Sequence, residues 1–180
     1  MRVAIAQIEA IKGNIEENIE NHLKWIKETV QNRADMVVFP ELSVTGYEPD
    51  LAESLATDQN NTRLDEIQSL SDKNGVTIGV GLPTKDENDT FVSMIIFQPH
   101  KERVTYSKQY LYPPEESIFK AGKNPLVLNF DTEVVSPAIC YETTNKAHCE
   151  FAKRNKATIY VASVLSSING IDAELKNCLI

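Results

Sequence analysis

The run Met36 to Phe39, "MVVF", constrains this chain more than any other stretch. Four successive apolar residues closed by Pro40 read as a strand, because proline has no N–H with which to continue a ladder. A strand that is apolar at every position, instead of every second one, is buried on both faces. The chain must therefore place a layer of structure on each side of the sheet that contains it.

Helices for one such layer are visible nearby. In "GNIEENIENHLKWIKETVQN" the residues Ile15, Ile19, Leu23, Ile26 and Val30 recur at steps of three and four, forming one apolar stripe. Asn14 precedes it as an N-cap, with Glu16 and Glu17 at the positive end of the helix dipole. A second helix is predicted over "TRLDEIQSLSDKNG", where Leu64, Ile67 and Leu70 share a face and Gly75 ends it. The strand "VTIGVGLP", the polar turn "KDENDT", and the strands "FVSMIIFQP" and "ERVTYSK" make an antiparallel section. Strands "LVLNF" and "VVSPAIC", a helix across "NKAHCEFAKRN" and the strand "ATIYVASV" follow, and the tail "NGIDAELKNCLI" reads as a partial helix. The pattern is α/β: a sheet covered by helices on one face, with the other face requiring a further layer.

With 180 residues and 42% apolar content the chain can bury one sizeable core, so a single domain over residues 1–180 is expected. Twenty-six acidic residues against eighteen basic ones give a net charge of −8, which disfavours nucleic acid and anionic membrane as partners and favours a small molecule. The start "MRVAIAQIEAIKGN" is broken by Gln7 and Glu9, too soon for a signal peptide or a membrane span. Cys140, Cys149 and Cys178 have no CxxC spacing, and a reducing, cytoplasmic setting without disulfides is expected. His22, His100 and His148 are scattered, so no metal is expected. The seven glycines form no phosphate-binding loop.

Sites on sheets of this kind lie at the carboxyl ends of strands, and three chemically useful residues fall there. Cys140 ends "VVSPAIC"; alone, it is an ordinary buried hydrophobe. A working thiol needs a base or a positive field to expose its thiolate. Glu41, delivered by "VVFP", can be the base, and Lys108, at the end of "ERVTYSK", can stabilise a developing oxyanion.

Together, "VVFPELSVTGY", "YSKQYLYPPEESIFKAG" and "PAICYE", in that order, resemble the three catalytic blocks of the carbon-nitrogen hydrolase, or nitrilase, superfamily. The start of the chain is also similar, with Gln7, Gly13 and Asn18 at matching positions. The resemblance implies a four-layer α-β-β-α sandwich, here with its C-terminal part missing. It further implies cleavage of an amide or nitrile carbon-nitrogen bond through a cysteine thioester, without a cofactor. By similarity Glu41 is the general base, Lys108 the oxyanion stabiliser and Cys140 the nucleophile. Glu115, or its neighbour Glu116, is the second glutamate; Tyr47 is the aromatic residue of the first loop, and the backbone N–H of Tyr141 the second oxyanion donor. The family resemblance also implies a homodimer or higher homo-oligomer.

Two departures stand out. After the nucleophile strand and its helix only "ATIYVASVLSSINGIDAELKNCLI" remains, and "CYETTNKAHCEFA" lacks the arginine often found shortly after the nucleophile. A non-catalytic scaffold that acts as an interaction module is the alternative from another class. A Cys140 dyad with His148 or His100 is the alternative enzyme, although His148 reads as a surface or packing residue and no third group orients it.

Overall fold

The computed structural model describes residues 1–87 and 89–165. Among these, β1 (Val3–Ile5), α1 (Ile15–Gln31), β2 (Met36–Val38), the short α2 (Ala52–Leu55), α3 (Asp65–Asn74), β3 (Thr77–Asp86), β4 (Asp89–Phe97) and β5 (Val104–Ser107) come first. They are followed by β6 (Leu128–Asn129), β7 (Val134–Ile139), α4 (Lys146–Arg154) and β8 (Ile159–Ser163). The strands form two sheets, one ordered β1-β2-β3-β4-β5 and the other β6-β7-β8. In the first, β1, β2 and β3 are parallel, while β3-β4 and β4-β5 are antiparallel, as the polar turn between them requires.

The double burial expected of "MVVF" is observed, and alternation sorts its residues. Val37, with Ile78, Val80 and Phe97, packs with Ile19, Leu23 and Ile26 of α1 and Ile67 of α3. Met36 and Val38, with Met94 and Ile96, pack instead with Val135, Ile139 and Val161 of the second sheet. The layer that covers the far face of the first sheet is thus another sheet of the same chain. Each fully buried branched side chain contributes about 1.5–3 kcal/mol relative to exposure, so truncating Ile26, which is completely buried, costs about 2–5 kcal/mol.

Local signals act as read. Asn14 caps α1 by accepting from Glu17 N–H at 3.2 Å, and Gly75 ends α3 in the left-handed conformation. The strand expected over "LVLNF" is shorter, covering Leu128–Asn129, and α2 lies in a stretch without a clear period. The partial helix expected over 169–180 lies outside the described residues. No helix among the described residues is long and apolar enough to cross a membrane.

Candidate active site

Glu41 stands three residues beyond β2. Phe39 still pairs with the sheet, its N–H donating to Gly79 carbonyl at 2.9 Å, and Pro40 then ends the ladder. The turn that follows forces Leu42 to φ +52°, an uncommon backbone for a branched residue. Three contacts hold this turn. Val44 N–H donates to Gly81 carbonyl at 2.9 Å; Asn18 donates to Val44 carbonyl at 2.9 Å; and Ser43 Oγ lies 2.8 Å from His22 Nε2. His22 Nδ1 lies 2.6 Å from Asn18 carbonyl, an acceptor only, so Nδ1 carries the proton and Nε2 accepts from Ser43. Burial pushes the His22 pKa down to about 4, keeping the ring neutral. Gly81 is a steric requirement, because a Cβ there would stand 2.4 Å from Pro40 carbonyl and 2.5 Å from Leu42 N.

Lys108 directly follows β5. Its N–H donates to Val92 carbonyl at 2.8 Å and its carbonyl accepts from Gly122 N–H at 2.8 Å. The ammonium is completely buried, 2.8 Å from Glu41 Oε1 and 3.0 and 2.9 Å from the two oxygens of Glu115. Burial alone would discharge it, but the facing carboxylates outweigh that, and its pKa lies above the ordinary lysine value. Glu115 is held in turn by Tyr47 hydroxyl at 2.9 Å and Tyr112 N–H at 2.9 Å. Glu116 is exposed, so Glu115 is the glutamate that meets the lysine.

Cys140 directly follows β7 and opens a 3-10 turn, Cys140–Thr144, at φ +45°. Its thiol is close enough to Glu41 to hydrogen-bond the carboxylate, and it also reaches Leu165 carbonyl at 3.8 Å. Burial raises the Glu41 pKa above the carboxylate norm, against the pull of Lys108. Ser163 of β8 donates to Phe39 carbonyl at 2.7 Å, tying the second sheet to the first beside Glu41. Glu41, Lys108 and Cys140, from strand ends of both sheets, therefore meet at one place with Glu115 of the 3-10 turn Pro113–Ser117 and Tyr47 of the first loop.

Tyr141 is partly exposed, and its ring meets Tyr112 edge-on at 5.6 Å between centroids. His148 is buried, which selects the packing half of its reading as a surface or packing residue. Its two nitrogens lie 2.8 Å from the hydroxyls of Tyr106 and Tyr160, so both are engaged by tyrosines. His100 is exposed. Sequence reasoning gave no role to His22, Ser43 or Glu142; Glu142, inside the quoted "PAICYE", has a completely buried carboxylate. Among the described residues no three His, Cys, Asp or Glu side chains group as metal ligands.

The sequence model of the carbon-nitrogen hydrolase family matches residues 2–175. The chain belongs to that family. A glutamine-dependent NAD(+) synthetase of Aquifex aeolicus is 28% identical over 148 residues, 78% of this chain and 25% of that protein. An arylacetonitrilase of Hypocrea virens is 25% identical over 108 residues, 53% of this chain and 33% of that protein. The chain thus spans a quarter to a third of the length of these curated relatives. An amidase from Nesterenkonia sp. AN1, solved with acrylamide added at its active-site cysteine, superposes with a TM-score of 0.83 at 19% identity, over 95% of this chain and 70% of that one. At that identity the likeness is one of fold, and it agrees with the nitrilase-type sandwich expected of a carbon-nitrogen hydrolase.

Proposed function

We propose that the chain hydrolyses a small non-peptide amide through a thioester on Cys140, with Glu41 as general base and Lys108 as oxyanion stabiliser. The observation that carries this reading is one buried ammonium shared by two carboxylates, one of which also meets the thiol of Cys140.

Glu41 takes the thiol proton as sulfur attacks the amide carbon, and its raised pKa suits a group that must hold that proton briefly. The charge forming on the substrate oxygen meets the Lys108 ammonium and the N–H of Tyr141, near the start of the 3-10 turn. Glu41 then passes its proton to the leaving nitrogen, the C–N bond breaks, and ammonia or an amine departs from the thioester. Water gives a proton to Glu41 and attacks the thioester carbon; the acid leaves, and sulfur recovers its proton. Glu115, anchored by Tyr47 and Tyr112, orients Lys108 throughout. No step calls for a cofactor.

Amides head the choice of substrate because the Nesterenkonia protein is an amidase and the Aquifex relative is described as glutamine-dependent; the arylacetonitrilase keeps nitriles in the test. On this reading residues 1–180 act as one hydrolase domain, in the cytoplasm, as a homodimer or larger homo-oligomer. Ammonia release should be measured with glutamine, asparagine, acetamide and phenylacetonitrile, with Cys140→Ala as control and hydroxylamine to trap the thioester as a hydroxamate. Release that needs Cys140, with hydroxamate formed, supports the reading. No release, together with a Cys140 thiol that iodoacetamide alkylates no faster than a small free thiol, leaves a non-catalytic scaffold.

A further inference from the structure

A third buried carboxyl group lies beside this site, outside the cluster around Lys108. Glu142 is completely buried, and its two oxygens are spent on different strand ends. Oε1 accepts from Gln109 N–H at 2.6 Å, and Oε2 accepts from Ile139 N–H at 2.7 Å. Gln109 is the residue after Lys108, and Ile139 the residue before Cys140. One end of the pair is attached to the first sheet and the other to the second.

The rest of the carboxylate's surroundings are donors too. Tyr106 hydroxyl donates to Oε2 at 2.8 Å, and the backbone of Tyr110 adds a further hydrogen bond. Because Tyr106 gives its proton to Glu142, its oxygen accepts from His148 Nε2 at 2.8 Å, which leaves Nδ1 to accept from Tyr160 hydroxyl at 2.8 Å. Burial drives the His148 pKa down to about 4 and keeps the ring neutral, consistent with this one direction of donation. Burial raises the Glu142 pKa above the carboxylate norm, and the hydrogens offered to it by Gln109, Ile139, Tyr106 and Tyr110 oppose that rise.

We infer that Glu142 is a positioning residue: its carboxylate clamps the backbone beside Lys108 to the backbone beside Cys140 and so holds the cation and the thiol at working separation across the two sheets. The inference rests on the hydrolase reading above. Its physical basis is that reacting groups carried by separate elements lose rate steeply when displaced, about 100-fold for 1 Å, and that two short hydrogen bonds accepted by one buried carboxyl group resist such displacement.

The decisive substitution is Glu142→Gln. A side-chain amide has a single acceptor oxygen, so whichever way it turns its NH2 faces one of the two backbone N–H groups and that half of the clamp is lost. The expected result is a fall of at least tenfold in kcat for the best amide, KM within about twofold, and a matching fall in the rate of Cys140 alkylation by iodoacetamide. Glu142→Asp, which keeps the carboxyl group and shortens the reach, should recover part of the loss. Tyr160→Phe, which removes the far end of the tyrosine-histidine chain and leaves both clamp bonds, should lower the melting temperature with kcat within about threefold. Should Glu142→Gln fail to fold, hydrogen exchange in the unaltered protein decides: the N–H groups of Gln109 and Ile139 should be as protected as those within the sheets, and fast exchange at either overturns the clamp. A folded Glu142→Gln protein with unaltered kcat and alkylation rate overturns it as well, as does a loss in Tyr160→Phe equal to that in Glu142→Gln. If the unaltered protein itself neither releases ammonia nor shows an activated thiol, the hydrolase reading fails and this role fails with it, an outcome visible without any Glu142 variant.

Discussion

Gly81→Ala should damage the site by moving Glu41. A Cβ at position 81 would lie 2.4 Å from Pro40 carbonyl and 2.5 Å from Leu42 N, whereas real Cβ contacts essentially never fall below 3.0 Å. Both obstructing atoms are backbone, so the 40–42 turn must retreat from β3 by about 0.6 Å at the least. The turn cannot do so without disturbing the bonds that hold it, Val44 N–H to Gly81 carbonyl and Ser43 to His22. On the scaling of about 100-fold per ångström, a displacement of this size should lower kcat/KM about tenfold, with a stability loss of about 1–3 kcal/mol from overpacking. Amide hydrolysis, Cys140 alkylation and urea unfolding would each be measured. Gly75→Ala is the control: its added Cβ meets nothing within 4 Å, but φ is +66°, so it should cost about 1–2 kcal/mol in stability and leave the chemistry unaltered. If Gly81→Ala and Gly75→Ala lose stability equally and both retain full activity, steric support of the Glu41 turn is refuted.

Three further outcomes follow from the same geometry. Lys108→Met strands Glu41 and Glu115 together without their cation; unfolding in urea should show a loss of about 3–5 kcal/mol, and adding Glu115→Gln should return part of it. Because the Glu41 pKa is raised in the folded state, its contribution to stability is present at acid pH and declines as pH rises through that folded pKa, while Cys140 alkylation falls as pH drops through it; Glu41→Gln should abolish both trends. His22 behaves in the opposite sense: its pKa falls from 6.5 to about 4 on folding, so about 3 kcal/mol of stability should be lost between pH 6.5 and 4, and His22→Gln should flatten that part of the profile.

Much of this molecule is legible in one dimension because its signals are local. The stripe of α1, the Asn14 cap, the Gly75 stop and the doubly buried "MVVF" each depend on neighbours within a turn or a strand, and each is found as read. The positions of Glu41, Lys108 and Cys140 at strand ends were readable for the same reason. What sequence could not supply is which distant groups meet. The choice of Glu115 over Glu116 is made by a 3-10 turn that buries one and exposes the other. The buried bonds of His22 and His148 each reach a partner many positions away. Asn18 illustrates the boundary: its match to the family was visible, yet its use, binding Ile11 and Val44 at once, depends on tertiary structure.

The division of the site between two sheets also bears on how it comes into being. Glu41 and Lys108 leave strands of the first sheet and Cys140 a strand of the second, and the bond from Ser163 to Phe39 joins positions 124 apart. Contacts so distant in sequence carry the largest loop-closure cost and form late in folding. An intermediate with only the first sheet assembled would already hold its charged cluster but would present an ordinary thiol. On the proposed reading, the reactivity of Cys140 serves as a clock for the docking of the two sheets, and its appearance during refolding would date the moment at which the site is assembled.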